Sequence, residues 1–169
     1  MASGLAGIGI EDTSGDRQRP IRGFDEAVNR VRSAVDAAKG RIVVTGRTDN
    51  FIQGRPDLDD TIRRLTAFAE ADADVLHAPF PPDRDALVAI VTAVAPTPVN
   101  VLVSPADKVL TVPDLQKIEV RRISLGPLFY ANAMGALEHA TNALVAGDLA
   151  TATTGMSFDG IGALLAGSQ

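Results

Sequence analysis

The chain has no cysteine and no tryptophan, and aromatic residues fill only 4% of its 169 positions. Without a thiol there is no disulfide framework, no cysteine nucleophile and no thiolate metal site. With so few aromatic rings there is no platform for stacking nucleobases. Positive charge is also in deficit: 16 Lys and Arg residues face 21 Asp and Glu residues, giving a net charge of −5 and a pI near 4.9. The arginines are scattered among acids, so no basic field exists for nucleic acid, and none is expected as a partner. No apolar run reaches the roughly 18 to 20 residues that span a bilayer, so no membrane partner is expected either. Met1 leads into small residues rather than the charged n-region of a signal peptide, and the expected location is cytoplasmic. At 46% apolar, with no low-complexity linker, residues 1–169 read as a single domain.

What is present centres on Arg41 to Leu65, RIVVTGRTDNFIQGRPDLDDTIRRL. The β-branched run Ile42, Val43, Val44 predicts an interior strand covered on both faces. Gly46 is read as letting the backbone turn, and Arg47 and Asp49 follow with opposite charges. Asp57 is placed to cap a helix that carries Ile62, Leu65 and Ala69 on one side. In parallel α/β folds the carboxyl ends of strands line the active site, which makes Arg47 the first functional candidate. A surface ion pair with Asp49 is the alternative reading of the same two residues.

The pattern repeats along the chain. Gly4 to Asp12, GLAGIGIED, reads as a buried strand that delivers Glu11 and Asp12 to its carboxyl end, or as a strand ending in a solvated turn. The long polar segment Thr13 to Gly23 has the length of a functional loop, and Thr13 and Ser14 open it as a gate. Phe24, Val28, Val31 and Val35 mark a helix that ends at Lys39-Gly40, with glycine as the left-handed cap. Further strands are predicted at Asp74 to Phe80, Pro98 to Ser104 and Arg121 to Gly126. Helices are predicted at Asp83 to Ala95, Leu110 to Val120, Leu128 to Ala146 and Phe158 to Leu165, the last after a Thr-rich loop. Asn100 and Ser104 alternate to one face of their strand and can donate hydrogen bonds to a carboxylate. His77 and His139 are left outside the catalytic set, since a lone histidine is more often packed than catalytic.

Strand starts near residues 41, 74, 98 and 121 have the spacing of βα units joined by right-handed crossovers. A closed (β/α)₈ barrel takes about 250 residues, and this chain supplies about five units. The sheet is therefore either open or part of a barrel.

GLAGIGIEDTSGD, VVTGRTDNFIQGRPDLDDTIRRL, DVLHAPF, PVNVLV and VRRISLGP together closely resemble the isocitrate lyase and phosphoenolpyruvate mutase superfamily. The likeness is strongest to the carboxyvinyl-carboxyphosphonate phosphorylmutase-like branch. The resemblance implies a partial TIM barrel whose five units match strands 4 to 8 and are followed by carboxyl-terminal helices. It implies Mg²⁺ at the carboxyl face, with Glu11 matching the family glutamate that holds the metal, largely through water. Arg47 matches the arginine that grips the carboxylate or phosphonate of a small 2-oxo or enolpyruvate acid. A hard cation takes oxygen ligands, and a planar guanidinium pairs bidentately with an oxyanion. The expected chemistry is cleavage of a C–C or P–C bond through an enolate.

The chain also departs from that pattern. The family's acidic DxD-type metal motif and its serine-glycine loop belong to three βα units that this chain lacks. Its lyases carry a cysteine-bearing loop after IED where this chain has TSGDRQRP, which disfavours isocitrate and methylisocitrate lysis. Pro79 stands where those lyases place a carboxylate, and the asparagine of the mutase loop is absent. The 169 residues alone are thus expected to be inactive. Their two open sheet edges are expected to promote association, with a homo-oligomer that exchanges carboxyl-terminal helices. The competing reading is a non-catalytic half-barrel acting as an oligomerising scaffold.

Overall fold

The computed structural model describes residues 4–103 and 110–167, which fall into two compact units, 1–125 and 126–169. Short polar side chains set where the helices of the first unit begin. Asp57 accepts from the Asp60 amide at 2.8 Å and starts α2 (Leu58–Glu70), and Asp83 accepts from the Ala86 amide at 2.8 Å and starts α3 (Arg84–Val94). Thr111 and Asp114 cap each other reciprocally at the head of α4 (Val112–Lys117), with Pro113 in the first turn. The first helix, α1 (Phe24–Ala38), ends on two left-handed residues, Lys39 at φ 50° and Gly40 at φ 69°. The left-handed cap therefore begins on the lysine, one residue before the expected glycine.

Between the helices run β1 (Gly7–Glu11), β2 (Val43–Arg47), β3 (Val75–His77), β4 (Val99–Leu102) and β5 (Arg122–Ser124). They form one parallel sheet in sequential order, β1-β2-β3-β4-β5. This is an α/β fold with five successive units of a TIM-barrel-like wall, and β1 and β5 are its two edges. The core lies on the side where Val44, Leu76, Val99 and Val101 meet Val31, Leu65, Phe68, Leu87, Ile90 and Leu115 of the helices. Strand residues of the opposite parity, among them Gly7, Gly9, Val43, Thr45 and Val75, line an open cleft instead.

Two sequence expectations change here. Neither β1 nor β2 is covered on both faces: Gly7, Gly9 and Glu11 are exposed and Val43 keeps 44% of its surface. Helices α1 to α4 pack on one side of the sheet, so continuous β-branching reports a barrel-wall strand without showing that both sides are filled. Gly46 does not turn the chain either; it lies inside β2 and has no positive φ. Its Cα faces α2, where an added Cβ would stand 2.9 Å from the Phe68 Cβ and 3.2 Å from the ring. Gly46→Ala is thus expected to lower stability by about 1 to 3 kcal/mol through overpacking. A urea midpoint equal to that of the wild type would rule this out.

The second unit contains α5 (Leu128–Val145), α6 (Leu149–Ala152) and α7 (Phe158–Leu165). The turn of α6 falls in the segment read as a loop, where Asp148 accepts from the Thr151 amide at 3.1 Å. No residue of α5 or α7 is buried, and Phe129, Tyr130, Leu137, Val145, Phe158 and Leu165 stand exposed. No described helix is long and apolar enough to cross a membrane.

Candidate active site

Register brings five polar residues of five strands into one row. Glu11 pairs with Arg47, Arg47 with His77, His77 with Asn100, and Asn100 with Arg122. Because side chains alternate between faces, one register row across parallel strands shares one face. These residues, with Ser124, line a cleft of about 590 Å³ on the side of the sheet opposite α1 to α4. Glu11, Arg47 and His77 stand at the carboxyl ends of their strands, whereas Arg122 opens β5, so the row descends across the sheet as strand stagger requires in a barrel wall.

Arg47 is held by two carboxylates. Its Nε donates to Asp49 Oδ1 at 2.6 Å, and its Nη1 lies 2.9 Å from Glu11 Oε1. The Glu11 side chain keeps 47% of its surface, whereas Asp49 keeps 2%. Thr13 Oγ1 donates to the other Asp49 oxygen at 2.5 Å, so the first residue of the expected gating loop is tied into the arginine's support. Ser14 closes the loop on itself. Its amide donates to the Pro20 carbonyl at 2.8 Å and its hydroxyl donates to the Arg19 carbonyl, while Thr13 and Ile21 form an antiparallel bridge.

A buried network behind this layer was not legible residue by residue. Asp12, 1% exposed, accepts from Thr48 Oγ1 at 2.7 Å and from the Asp49 amide at 2.9 Å. Arg64 comes up from α2, with Nη1 3.3 Å from Asp12 and Nε 2.7 Å from Asp60, and also donates to the Arg22 carbonyl at 3.1 Å. Asn50 Nδ2 reaches Asp60 at 3.0 Å. Burial raises the Asp12 carboxyl despite its hydrogen bonds and the charge of Arg64. Burial would raise Asp60 as well, but hydrogen bonds from Arg64, Arg63 and Asn50 outweigh it and hold that carboxyl well below the ordinary range. The RPDLDD stretch therefore does more than cap a helix. The spacing of Asp60 and Arg64, four residues apart and on the turn that carries Leu65, was the available signal.

His77 is 8% exposed, and its Nε2 has no hydrogen-bond partner among the described residues. Burial, reinforced by the charge of Arg47, pushes its pKa down to about 4. The imidazole is thus neutral at physiological pH. Asn100, 3% exposed, donates from Nδ2 to Ser124 Oγ at 3.0 Å, and its Oδ1 has no partner among the described residues. Ser104, the other donor expected on this strand, lies outside the described residues.

A lowered histidine pKa destabilises the fold in acid, because the unfolded chain takes up the proton first. His77 should therefore withdraw stability as the pH falls from about 6.5 towards about 4, by up to roughly 3 kcal/mol. Asp12, with its raised pKa, acts with the opposite sign. Denaturation at pH 7 and 4.5 should show a smaller acid loss in His77→Gln than in the wild type. Equal losses would place the His77 proton equilibrium elsewhere.

Among the described residues no group of three or more His, Asp and Glu side chains is arranged to hold a metal ion. Glu11 is the one carboxylate in the cleft lining, and one of its oxygens already meets Arg47. These residues do not make a magnesium site by themselves.

The chain and its fold are similar to those of known proteins. The family model of phosphoenolpyruvate phosphomutase matches residues 1–145. The chain is 32% identical over 145 residues to an uncharacterized protein of Mycobacterium tuberculosis, covering 85% of this chain and 53% of that one. It is 33% identical over 156 residues to an oxaloacetate decarboxylase of Paraburkholderia xenovorans, covering 87% and 50%. The chain thus spans about half the length of these curated relatives. A crystal structure from Burkholderia cenocepacia, provisionally described as a lyase/mutase, superposes with a TM-score of 0.89 at 36% identity, over 98% of this chain and 61% of that one. A phosphonopyruvate hydrolase crystallised with oxalate and Mg²⁺ shares the fold at a TM-score of 0.79 and 23% identity, over 98% and 60%. The chain belongs to the phosphoenolpyruvate phosphomutase family, within the isocitrate lyase and phosphoenolpyruvate mutase superfamily.

Proposed function

We propose that this chain supplies the substrate-gripping part of an enzyme that cleaves a C–C or P–C bond in a small 2-oxo or enolpyruvate acid. The observation that carries the reading is Arg47, a guanidinium at the mouth of a parallel strand, fixed from two sides by Glu11 and Asp49. Among the described residues its Nη2 has no partner, so it can face a carboxylate or phosphonate already aligned. When the bond beside the ketone breaks, its electron pair passes onto the carbonyl as an enolate. Guanidinium N–H donors already held in place close by lower the energy of that developing anion without having to reorganise. The neutral His77 adds no competing charge. When bound, Mg²⁺ would supply positive charge for the enolate oxygen, and Glu11 would meet it through water.

The same reading takes the exposed edges β1 and β5, and the apolar surface of α5 and α7, as surfaces covered in a homo-oligomer, with Leu128–Val145 exchanged between copies. Turnover is then expected only when the sheet is completed. Titrating pyruvate into the 169-residue chain, with light scattering at several concentrations and assays on oxaloacetate and phosphonopyruvate with Mg²⁺, tests this. Binding without turnover by the isolated chain, together with association, is the expected result. Absence of any 2-oxo acid binding would sink the enzymatic reading and leave the oligomerising scaffold. Turnover by a compact monomer would overturn the need for completion.

A further inference from the structure

The lower end of the polar row, Asn100, Arg122 and Ser124 beside His77, has no task in the reading above. Two of its atoms, His77 Nε2 and Asn100 Oδ1, are buried without a partner among the described residues, in residues more than nine-tenths covered and adjacent in register. Buried polar atoms without partners are rare enough to need an explanation. Next to them Arg122 is exposed in the same cleft and, among the described residues, pairs with no carboxylate. The cleft lining holds two guanidinium groups and one carboxylate, and Asp49 in contact with Arg47 balances the count, so Arg122 is the lining cation that no carboxylate among the described residues neutralises.

We propose that Arg122, seated by Asn100 and assisted by His77, is a second oxyanion anchor that selects doubly anionic substrates. This rests on Arg47 holding the first oxyanion. Three strand spacings of about 4.8 Å separate the backbones of Arg47 and Arg122, roughly 14 Å, a span two facing guanidinium side chains can close on a ligand of three or four carbons. Asn100 is already oriented, because its Nδ2 is committed to Ser124, whose hydroxyl donates in turn to the Val101 carbonyl at 3.2 Å. That leaves Oδ1 as an acceptor for one Arg122 N–H, which fixes the fork, while the remaining N–H groups face the ligand. Neutral His77 can donate from Nε2 to the same oxyanion. In that state both buried atoms gain partners. Its low pKa suits this role, since the ring gives one hydrogen bond and brings no charge that would favour a singly charged ligand as well.

The test is calorimetric titration of the 169-residue chain with pyruvate, 3,3-difluorooxaloacetate and phosphonopyruvate. The second group of the ligand is a carboxylate in one diacid and a phosphonate in the other, and the tighter of the two identifies which is preferred. Arg122 is exposed, so Arg122→Gln is expected to fold. It should weaken both multiply charged ligands about 10- to 100-fold, the range of a charge-assisted contact, and change pyruvate less than about twofold. Arg47→Lys should weaken all three. The chain has two histidines, and the His77 ring nitrogen signal should move with the diacids and not with pyruvate. If Arg47→Lys weakens all three while Arg122→Gln changes none, the first anchor stands and the second is refuted. Equal losses for pyruvate and the diacids would refute it too. An unmoved His77 signal would assign the two buried atoms to an internal water only, again refuting the anchor. If the wild type binds none of the three, both readings fail together.

Discussion

Arg64→Ala is expected to lower unfolding stability by about 3 to 5 kcal/mol, the largest loss of any single substitution argued from this structure. The Arg64 side chain is 5% exposed and stands between Asp12, 1% exposed, and Asp60. Removing it leaves one buried carboxylate without its cation and another with only part of its support, and it releases the bond to the Arg22 carbonyl that ties down the loop after β1. Asp12 already has a raised pKa, so in the variant it should take up a proton more readily. The loss should accordingly be greater at pH 8 than at pH 5, and adding Asp12→Asn to Arg64→Ala should restore part of it. Arg64→Met separates packing from charge, since its side chain fills much of the space without the guanidinium. Urea unfolding of the four proteins at both pH values measures all of this. A loss below about 1 kcal/mol would show that Arg64 acts as an ordinary surface pair.

The second large effect is on the site. Arg47→Lys keeps the charge and should still weaken 2-oxo acid binding about 10- to 100-fold, or roughly 1.4 to 2.7 kcal/mol. One guanidinium here meets Asp49 through Nε and Glu11 through Nη1 and keeps a third nitrogen for ligand. An ammonium is a single compact charge on a flexible stem and cannot hold those directions together. Arg47 is about one-quarter exposed, so the fold should survive and circular dichroism should match the wild type. An unchanged dissociation constant for pyruvate would remove Arg47 from substrate binding.

Why one arginine is legible and the other is not follows from where their partners lie. Arg47 announces itself because it closes a β-branched run at a strand end and is followed two residues later by an acid, all within a few positions of sequence. Arg64 sits in RRL on an amphipathic helix, where the apolar spacing of Ile62, Leu65 and Ala69 sets the expected face. The buried face runs through Thr61, Arg64, Leu65 and Phe68. That face sets Arg64 against Asp12, 52 residues away, and no local pattern carries that information.

The sequence by itself determined the order of the strands and of the helices α1 to α5, the capping of α2 and α3, the parallel βα succession and the family. These depend on short-range backbone chemistry and on apolar period, and both act over about one turn or one strand. Tertiary structure decided what depends on register and on which side of the sheet the helices cover. Gly46 is a point of close helix approach and not a turn, because Phe68 lies against it. β1 is packed on one face only, because its other face, with Gly7, Gly9 and Glu11, lines the cleft. His77, Asn100 and Arg122 come together only when three strands align them. Asn100 stands out in its own segment by alternation, whereas His77 and Arg122 do not, and strand pairing between distant segments places the three beside one another.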